Sequence, residues 1–490
     1  MKNSFEKRLS YHGPGGMPRY IIPEAPESYK KFEPTIKTVT EAAREVKVVS
    51  EADVIVVGGG PGGYAAAVTA ARNGARTVLL ERYGHLGGMA TGGLVNIIPN
   101  LSDVNGVQYI GGICEELITR LDEQGYCTRP QPIDFGSTDP KVLKYYLDAG
   151  LNHFYIRKNA EGKDCLIYTA IIDPELGKNE ISRMVTEAGV RLYLHSWVTD
   201  VIMEDNVVKG IIFESKSGRQ AVLGKVVIDS TGDGDLIPWT GEESDSYIDP
   251  NDRITHLCFG YHIGGVNWRA YDRFVSTRPD DHTALMNGLY DNNLYRGFFR
   301  GLVPQEENEA WLHPHFIAKC QTDVDEITRV ETAGREMAVK TWEYLRDNAP
   351  GFENSYIKLT CPQLGTTGGR RLVGEHSLTT DDLHRTEPFE DTIAVFPNND
   401  RGPECYEFSK IYVPYRSLLP KKVDGFMVAC RAFSSDDESN SSFNLVPHCM
   451  CFGQAAGTAA AIAVKKGISV KDVPYAELKE ALLAQNVILP

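Results

Sequence analysis

The chain has 490 residues, of which 42% are apolar and 24% charged, and its 51 basic and 66 acidic side chains give a net charge of −15. This length and composition predict a globular protein of two or three domains. The acidic balance argues against a nucleic-acid partner and against binding to an anionic membrane, because both need a basic surface. The sequence shows no secretory signal and no apolar run of about 20 residues, so we expect a cytoplasmic protein without membrane association.

Ten cysteines are scattered along the chain without a C-x-x-C pair. In a long chain this pattern is typical of reduced, buried thiols rather than of a disulfide framework. The C-x-C of Cys449 and Cys451 is a poor metal or redox signature, and we predict no metal site.

Residues 1–50 form a distinct N-terminal segment with five prolines, nine basic and six acidic side chains and no clear period. We interpret it as an extended arm that packs over the acidic remainder of the chain. The alternative is an arm that helps to close a neighbouring subunit or the active site. The size of the chain and this arm together favour a homo-oligomer.

The first chemical motif runs from Asp53 to Glu81. An apolar run, Val54–Val57, is typical of a strand buried on both faces of a parallel sheet. The following turn has the spacing G-x-G-x-x-G, and the segment ends in a second apolar strand and an acid. These features in register predict dinucleotide binding, with a diphosphate at the start of the helix and a ribose on Glu81. The motif glycines are Gly58, Gly60 and Gly63.

Two further glycine-rich loops follow. Residues 87–93 contain four glycines, which indicates backbone lying tightly against a flat or anionic ligand. Strands at Val207–Glu214 and Ala221–Ile228 predict a β-meander that leads into the acidic loop 229–235. The acids of this loop can accept hydrogen bonds from sugar hydroxyls, whereas the spacing and the missing terminal Glu argue against a calcium loop.

The middle of the chain, residues 248–404, has the mixed pattern of a separate layer. A predicted strand, His256–Ile263, places His256, Cys258 and His262 on one face. Val324–Asn348 has the pattern of a charged helix. The C-terminal part returns to α/β character, with a short strand at 426–430 and a helix that begins at Pro447.

Four stretches together resemble the FAD-dependent oxidoreductases with a glutathione-reductase-type FAD fold, in the branch with one dinucleotide fold and no NAD(P) domain. The resemblance is carried by DVIVVGGGPGGY through LGGMATGGLV, VVIDSTGDGDL, VPYRSLLPKKVDGFMVACR and PHCMCFGQAAGTAAAIAV. It implies an α/β fold: a Rossmann-like FAD-binding domain with a β-meander at 51–247 and 405–490, into which a mixed α+β substrate domain at 248–404 is inserted. The bound cofactor would be FAD.

The resemblance also implies roles for individual residues. Glu81 would hold the adenosine ribose, the backbone of Val198 would pair with adenine, and Asp233 would lie near the ribityl-diphosphate. The helix at Pro447 would point its positive end at the flavin ring. The implied cofactor-binding residues are Gly58, Gly60, Pro61, Gly62, Gly63, Glu81, Arg82, Gly87, Gly88, Met89, Ala90, Thr91, Val198, Gly232, Asp233 and Gly453.

Hydride transfer to or from flavin also needs a group that moves a proton. His448 is the first candidate, His262 or His256 the second, and Arg370 could serve as proton donor or anion anchor. Each also has an ordinary structural interpretation: a helix-capping residue, a strand histidine or a salt bridge. Where relatives carry an acid and two arginines, this chain has Thr367, Gly368 and Asn444, so an anionic substrate is not predicted.

Three functions remain open on the sequence. The first is a dehydrogenase or oxidase that moves a hydride between a small organic substrate and flavin N5, with the electron acceptor unspecified. The second is a flavin-dependent reductase of a C=C or C=O bond fed by an electron-donor partner. The third is an FAD-binding RNA-modifying or scaffold protein, which the acidic charge disfavours.

Overall fold

The structure is a computed structural model that describes residues 37–148, 151, 155–246, 256–300, 303, 307–317, 322–366, 368–398 and 410–490. Most of the predicted N-terminal arm, the predicted boundaries at residues 247–248 and 404–405, and Thr367 lie outside these ranges. Within these ranges, no helix is both long and apolar enough to cross a lipid bilayer.

A parallel five-stranded sheet forms the centre of the molecule and confirms the α/β fold class. Val54–Val57 lies in the middle of this sheet and pairs with a strand on each side. Val54 and Val56 pack toward the helices, while Ile55 and Val57 pack toward the meander, so both faces of the strand are buried. The strand order is Phe426–Val428, Val226–Asp229, Val54–Val57, Thr77–Leu80 and Arg191–Tyr193.

Two helices, Pro61–Arg72 and Val446–Lys466, pack against each other on one face of this sheet. Their crossing is close because glycines lie where they meet. A Cβ on Gly453 would come within 3.0 Å of the Gly62 carbonyl, and one on Gly457 within 3.0 Å of the Ala66 carbonyl. Since real Cβ atoms do not approach a carbonyl so closely, the small residues in both segments set this packing distance.

The predicted β-meander covers the other face of the parallel sheet. Its antiparallel strands are Trp197–Glu204, Val207–Ser215 and Gly218–Leu223. Lys47–Glu51, at the end of the predicted arm, adds a parallel strand at the edge. The prediction of one strand over Ala221–Ile228 is wrong. The chain leaves the meander after Leu223 and enters the parallel sheet at Val226, because Gly224 passes tightly over Ile55.

The middle region, defined here as the described residues of 256–366, has its own apolar core and two small sheets. One sheet has the order Phe298–Arg300, Ala310–Leu312, Tyr261–Gly264 and Tyr356–Thr360, and the other has His315–Ile317, His256–Cys258 and Gly365–Thr366. Its helices are Trp268–Thr277, Pro279–Asp291 and Val324–Asn348. The last of these has the bounds that the sequence predicts.

The prediction of a single strand His256–Ile263 with three side chains on one face is wrong. The segment divides into His256–Cys258 and Tyr261–Gly264, and these belong to different sheets. Between them, a Cβ on Gly260 would lie within 3.0 Å of the Gly93 carbonyl oxygen. This long-range contact bends the chain, so Cys258 and His262 face different surroundings.

The remaining elements complete the two regions. The other helices are Gly112–Glu123, Pro140–Asp148, Pro174–Glu187, Ile237–Thr240, Asp437–Phe443 and Tyr475–Ala484. The other paired strands are Ile97–Ile98 and Cys127–Thr128 with Ala170–Ile172, Ile156–Lys158 with Asp164–Leu166, Ser244–Asp245 with Arg371–Leu372, and Thr392–Pro397 with Lys410–Pro414. Short 3-10 turns lie at Gly88–Ala90, Pro132–Asp134, Asp381–His384, Tyr415–Leu418 and Val470–Asp472.

Candidate FAD site

A cleft that is partly open to solvent lies at the carboxyl ends of the parallel strands, and its empty space is about 820 Å³ when the adjoining open solvent is included. This is the edge at which doubly wound sheets bind their ligands. Loops that are distant in sequence meet there: the glycine turn after Val57, the segment after Leu80, the acidic loop and the end of the strand at Val428. An elongated ligand can therefore contact all four segments at once.

The three motif glycines have different surroundings. A Cβ on Gly58, whose φ is +95°, or on Gly63 would lie under 3.0 Å from a backbone carbonyl oxygen. A Cβ on Gly60 would meet nothing nearer than 4.0 Å and would project into the cleft. Gly58 and Gly63 therefore permit the turn and its packing, while Gly60 leaves room for a ligand beside the backbone. Gly62, which is packed against Ala429, and Pro61 also line the cleft.

Glu81 lies buried beside this turn. Its carboxylate accepts hydrogen bonds from the Gly59 N–H at 2.6 Å and from the Tyr83 N–H at 2.8 Å. Burial raises the pKa of Glu81, and these backbone hydrogen bonds only partly oppose that shift. Each carboxylate oxygen keeps a second acceptor position, so Glu81 can also receive hydrogen bonds from a ribose in the cleft.

Aromatic rings and a guanidinium close the same end of the cleft. The Arg82 guanidinium lies 5.1 Å from the ring centres of Tyr83 and Trp197. It also lies 3.9 Å from the Asp235 carboxylate. Val198 follows Trp197 in the lining. This end is flat and partly apolar, which suits a stacked purine.

The acidic loop uses most of its carboxylates internally. Asp229 is fully buried and accepts hydrogen bonds from the backbone of Thr231 and Leu236, each at 2.9 Å. Asp233 forms an ion pair with Arg431 at 2.9 Å and lies behind the cleft lining, whereas Asp235 is part of the lining. The structure therefore places Asp233 in support of Arg431.

Arg431 is the most informative residue that the sequence analysis did not assign. Its guanidinium lines the cleft next to Gly232, where a Cβ would lie 2.7 Å from it. Its Nε is buried and has no hydrogen-bond partner among the described residues. The signal in the sequence is its position directly after the apolar run 426–430, at the carboxyl end of a strand.

Some residues of the second glycine loop, 87–93, line the cleft, and others hold the loop in place from behind. Gly88 and Met89 line the cleft. Thr91 donates to the Leu86 carbonyl at 2.6 Å and packs under Gly87, whose φ is +97°. Ala90 is buried behind the loop. Gly453 lies at the helix crossing, outside the lining.

The four candidate proton-transfer residues have different contacts. His448 is buried with its ring centre 4.2 Å from that of Phe396. His262 lies in the middle region, 3.3 Å from the Glu309 carboxylate, which also pairs with Lys358. Arg370 contacts the acidic loop, and the backbone of His256 pairs with that of Ile317.

The end of the cleft away from Glu81, called the inner end here, is lined by further residues that the sequence analysis did not single out. Gln363 is one of them, and its side-chain oxygen is buried without a hydrogen-bond partner in the described ranges. Unused donors and acceptors in a cleft of this size are what a polar ligand would satisfy. Ser196 and Trp197 line the end beside Glu81 and Arg82, whereas the others at the inner end are Leu364, Thr366, Cys430 and Cys449.

The cysteines at this end are thiols rather than thiolates. Burial raises the pKa of Cys449 to about 12 and that of Cys430 well above its usual range. All eight cysteines of the described residues are free. Both thiols are therefore protonated at neutral pH.

A family model described as "FAD dependent oxidoreductase" matches residues 53–482. The chain belongs to the FAD-dependent oxidoreductase family. The cofactor of this oxidoreductase is FAD, and the cleft fits that assignment: a glycine turn for a diphosphate, an acid for a ribose, and unused polar atoms at the inner end. The family match confirms the predicted cofactor and enzyme class.

Curated relatives match only short stretches. A mitochondrial dihydrolipoyl dehydrogenase of Caenorhabditis elegans is 41% identical over 68 residues, 14% of this chain and 13% of that protein. A leghemoglobin reductase of Glycine max is 58% identical over 38 residues, 8% of this chain and 7% of that protein. The oxidoreductase thus spans well under two thirds of these relatives.

Solved structures show distant likeness over most of the chain. A geranylgeranyl bacteriochlorophyll reductase-like protein from Thermoplasma acidophilum is 14% identical, with a TM-score of 0.42, over 90% of this chain and 84% of the other. A p-nitrophenol 4-monooxygenase from Pseudomonas putida is 12% identical, with a TM-score of 0.43, over 86% and 83% of the two chains. Likeness at this level gives no indication of substrate.

Proposed function

We propose that the oxidoreductase transfers a hydride between a small organic substrate and N5 of bound FAD. The observation that carries this proposal is the composition of the inner end of the cleft. Gln363 and Thr366 of the middle region line it together with Met89 and Arg431 of the FAD-binding region. A dinucleotide whose ribose lies at Glu81 would present its other end to this boundary, where the middle region can hold a substrate.

FAD supplies the two-electron chemistry, and the protein supplies binding, orientation and charge. The helix Val446–Lys466 begins at the inner end, and Cys449 in its first turn is part of the lining. Its N-cap residue, Leu445, makes no side-chain capping hydrogen bond. The positive end of the helix therefore favours negative charge that develops in this part of the cleft.

Arg431 would donate a hydrogen bond to FAD or substrate without adding net positive charge to the cleft. Asp233 balances the guanidinium, and Gly232 leaves the space that the guanidinium occupies. Because the Asp233 pairing uses Nη2, the buried Nε stays available to donate to FAD or substrate.

Anaerobic mixing tests the proposal. FAD-loaded protein is mixed with a panel of alcohols, amines and hydroxy acids, and the visible absorbance of the flavin is followed in a stopped-flow spectrometer. We expect at least one donor to bleach the flavin in a single exponential whose rate saturates with donor concentration. Photoreduction of the same sample is the control that the bound FAD can be reduced.

The opposite result would be bleaching only by a reduced electron carrier, with reoxidation by an unsaturated or carbonyl compound. That outcome would replace the proposal by the reductase reaction. Flavin that photoreduces but responds to no organic molecule in either direction would overturn both.

A further inference from the structure

A pair of buried histidines lies in the middle region beside the inner end of the cleft. The chain passes from the strand Ala310–Leu312 through His313 to His315 at the start of the next strand. His315 Nε2 and His313 Nδ1 are 3.0 Å apart, and the two rings are nearly perpendicular at 88°. Each residue is only 8% exposed. The two imidazoles therefore share one hydrogen bond out of contact with solvent.

The second nitrogen of His313 is unused. Its Nε2 is buried and has no hydrogen-bond partner among the residues that the structure describes. The ring is held in place by Trp311, which stacks on it at 5.3 Å and donates from Nε1 to the Leu94 carbonyl at 2.7 Å. A fixed, buried ring with an unsatisfied nitrogen is unfavourable unless a ligand uses that nitrogen.

Strand pairing places this pair next to the cleft. His315 is directly opposite Cys258, which is in turn directly opposite Gly365. Side chains directly opposite each other in antiparallel strands lie on the same face of the sheet. On that face the Cys258 sulfur and the Met89 side chain both meet Gly365, and Met89 lines the cleft. His315 therefore lies on the sheet face that covers the inner end of the cleft, and the hydrogen bond between the two rings holds His313 beside it.

We propose that the His313–His315 pair takes up the proton in the substrate reaction, an inference that rests on the proposed hydride transfer. In the oxidation of a donor, a C–H bond breaks and its electron pair leaves with the hydrogen as hydride to FAD. The O–H or N–H bond on the same carbon breaks, its proton goes to His313 Nε2, and a C=O or C=N bond forms. His313 then passes its Nδ1 proton to His315 Nε2, so the positive charge moves away from the product.

The resting state of the pair suits this role. Burial and the nearby His315 hold the pKa of His313 well below its usual range, so the ring is neutral and can accept a proton. Among the described side chains of the facing strand, the titratable group is the Cys258 thiol, whose pKa is raised by burial. Because a nearby negative charge favours a protonated imidazole, we expect reduction of FAD to raise the proton affinity of the histidine pair.

The experiment uses FAD-loaded His313→Asn, because Asn can keep the hydrogen bond at the position of Nδ1 but has no Nε2. His282→Asn is the matched control, since His282 lies on a helix of the same region and bonds to Tyr271 instead. The first measurement is the pH profile of single-turnover flavin reduction by a donor found in the panel. We expect His313→Asn to reduce flavin about 100-fold more slowly or worse and to lose the acidic limb of the profile. We expect wild-type FAD content in both variants.

The second measurement needs no donor, so it separates this inference from the proposed function. The midpoint potential of bound FAD is measured against pH with redox dyes. We expect the wild type and His282→Asn to show a change of slope that reports a group whose proton affinity rises on reduction, and His313→Asn to lack it. A wild type without that change of slope, or a His313→Asn variant that keeps it, would overturn the assignment even if every donor in the panel had failed.

Discussion

The substitutions Gly60→Ala and Gly63→Ala test two functions of one glycine turn. We expect the first to weaken FAD binding and the second to lower fold stability. The backbone of Gly60 is extended, with φ −69° and ψ −173°, which alanine adopts without strain. The added methyl group would lie 4.0 Å from the nearest atom. Alanine has fewer backbone conformations than glycine, so it lowers the conformational entropy of the unfolded chain. We therefore expect Gly60→Ala to leave the stability of the apoprotein unchanged or to raise it by about 0.4–1 kcal/mol.

The same methyl group would occupy the space where a diphosphate approaches the backbone. Overpacking by one methyl group costs about 1–3 kcal/mol, so we expect the Kd for FAD to rise about 5- to 140-fold. In Gly63→Ala the new Cβ would instead lie far inside contact distance of the Gly58 carbonyl oxygen. That variant should lose fold stability by at least about 1–3 kcal/mol.

The assay has two parts for each apoprotein: urea unfolding followed by circular dichroism, and titration with FAD followed by flavin fluorescence quenching. Wild-type FAD affinity in Gly60→Ala would refute the assignment of this space to the diphosphate. Equal loss of fold stability in both variants would refute the division of roles between the two glycines.

Three further outcomes are expected. Burial raises the pKa of Asp229 to about 6 from an ordinary value of 3.8, so its stabilising contribution is present below that ordinary value and lost as pH rises through the folded one. The apoprotein should therefore lose up to about 3 kcal/mol of unfolding free energy from Asp229 between about pH 4 and pH 6 in urea titrations. In Asp229→Asn the unfolding free energy should change less with pH over this range. An unchanged slope of unfolding free energy against pH would contradict the assignment to Asp229. Arg431→Met leaves the Asp233 carboxylate buried without its partner and should cost about 3–5 kcal/mol in the same assay, part of which Asp233→Asn restores. No recovery in the double variant would argue against the pair. His448→Phe should retain single-turnover flavin reduction within about threefold, because the residue packs as one of a group of aromatic rings. A much larger loss at normal FAD content would return His448 to a chemical role.

The parts of the fold that local sequence determines were predictable. The strand Val54–Val57 has an apolar run, and Gly58 after it has a φ of +95°, a backbone conformation that favours glycine. The helix Val324–Asn348 has a full helical period and an acidic first turn. In each case the interactions that decide the structure lie close together in the chain.

The failures have the opposite origin. The break in His256–Ile263 depends on the contact of Gly260 with Gly93, far away in the sequence. The role of Arg431 depends on an ion pair with Asp233, 198 residues earlier. Nothing within the strand or the loop alone reports these contacts, so a pattern of residues does not reveal them.

The helix crossing at Gly62 and Gly453 has a consequence for biosynthesis. The glycine turn is made from the first hundred residues, but the helix that supports it is translated almost 400 residues later. While the ribosome is still making the middle region, the glycine turn lacks this support and exposes its apolar side. Uptake of FAD must then wait for this helix, and until it is made the nascent polypeptide exposes apolar surface that favours aggregation.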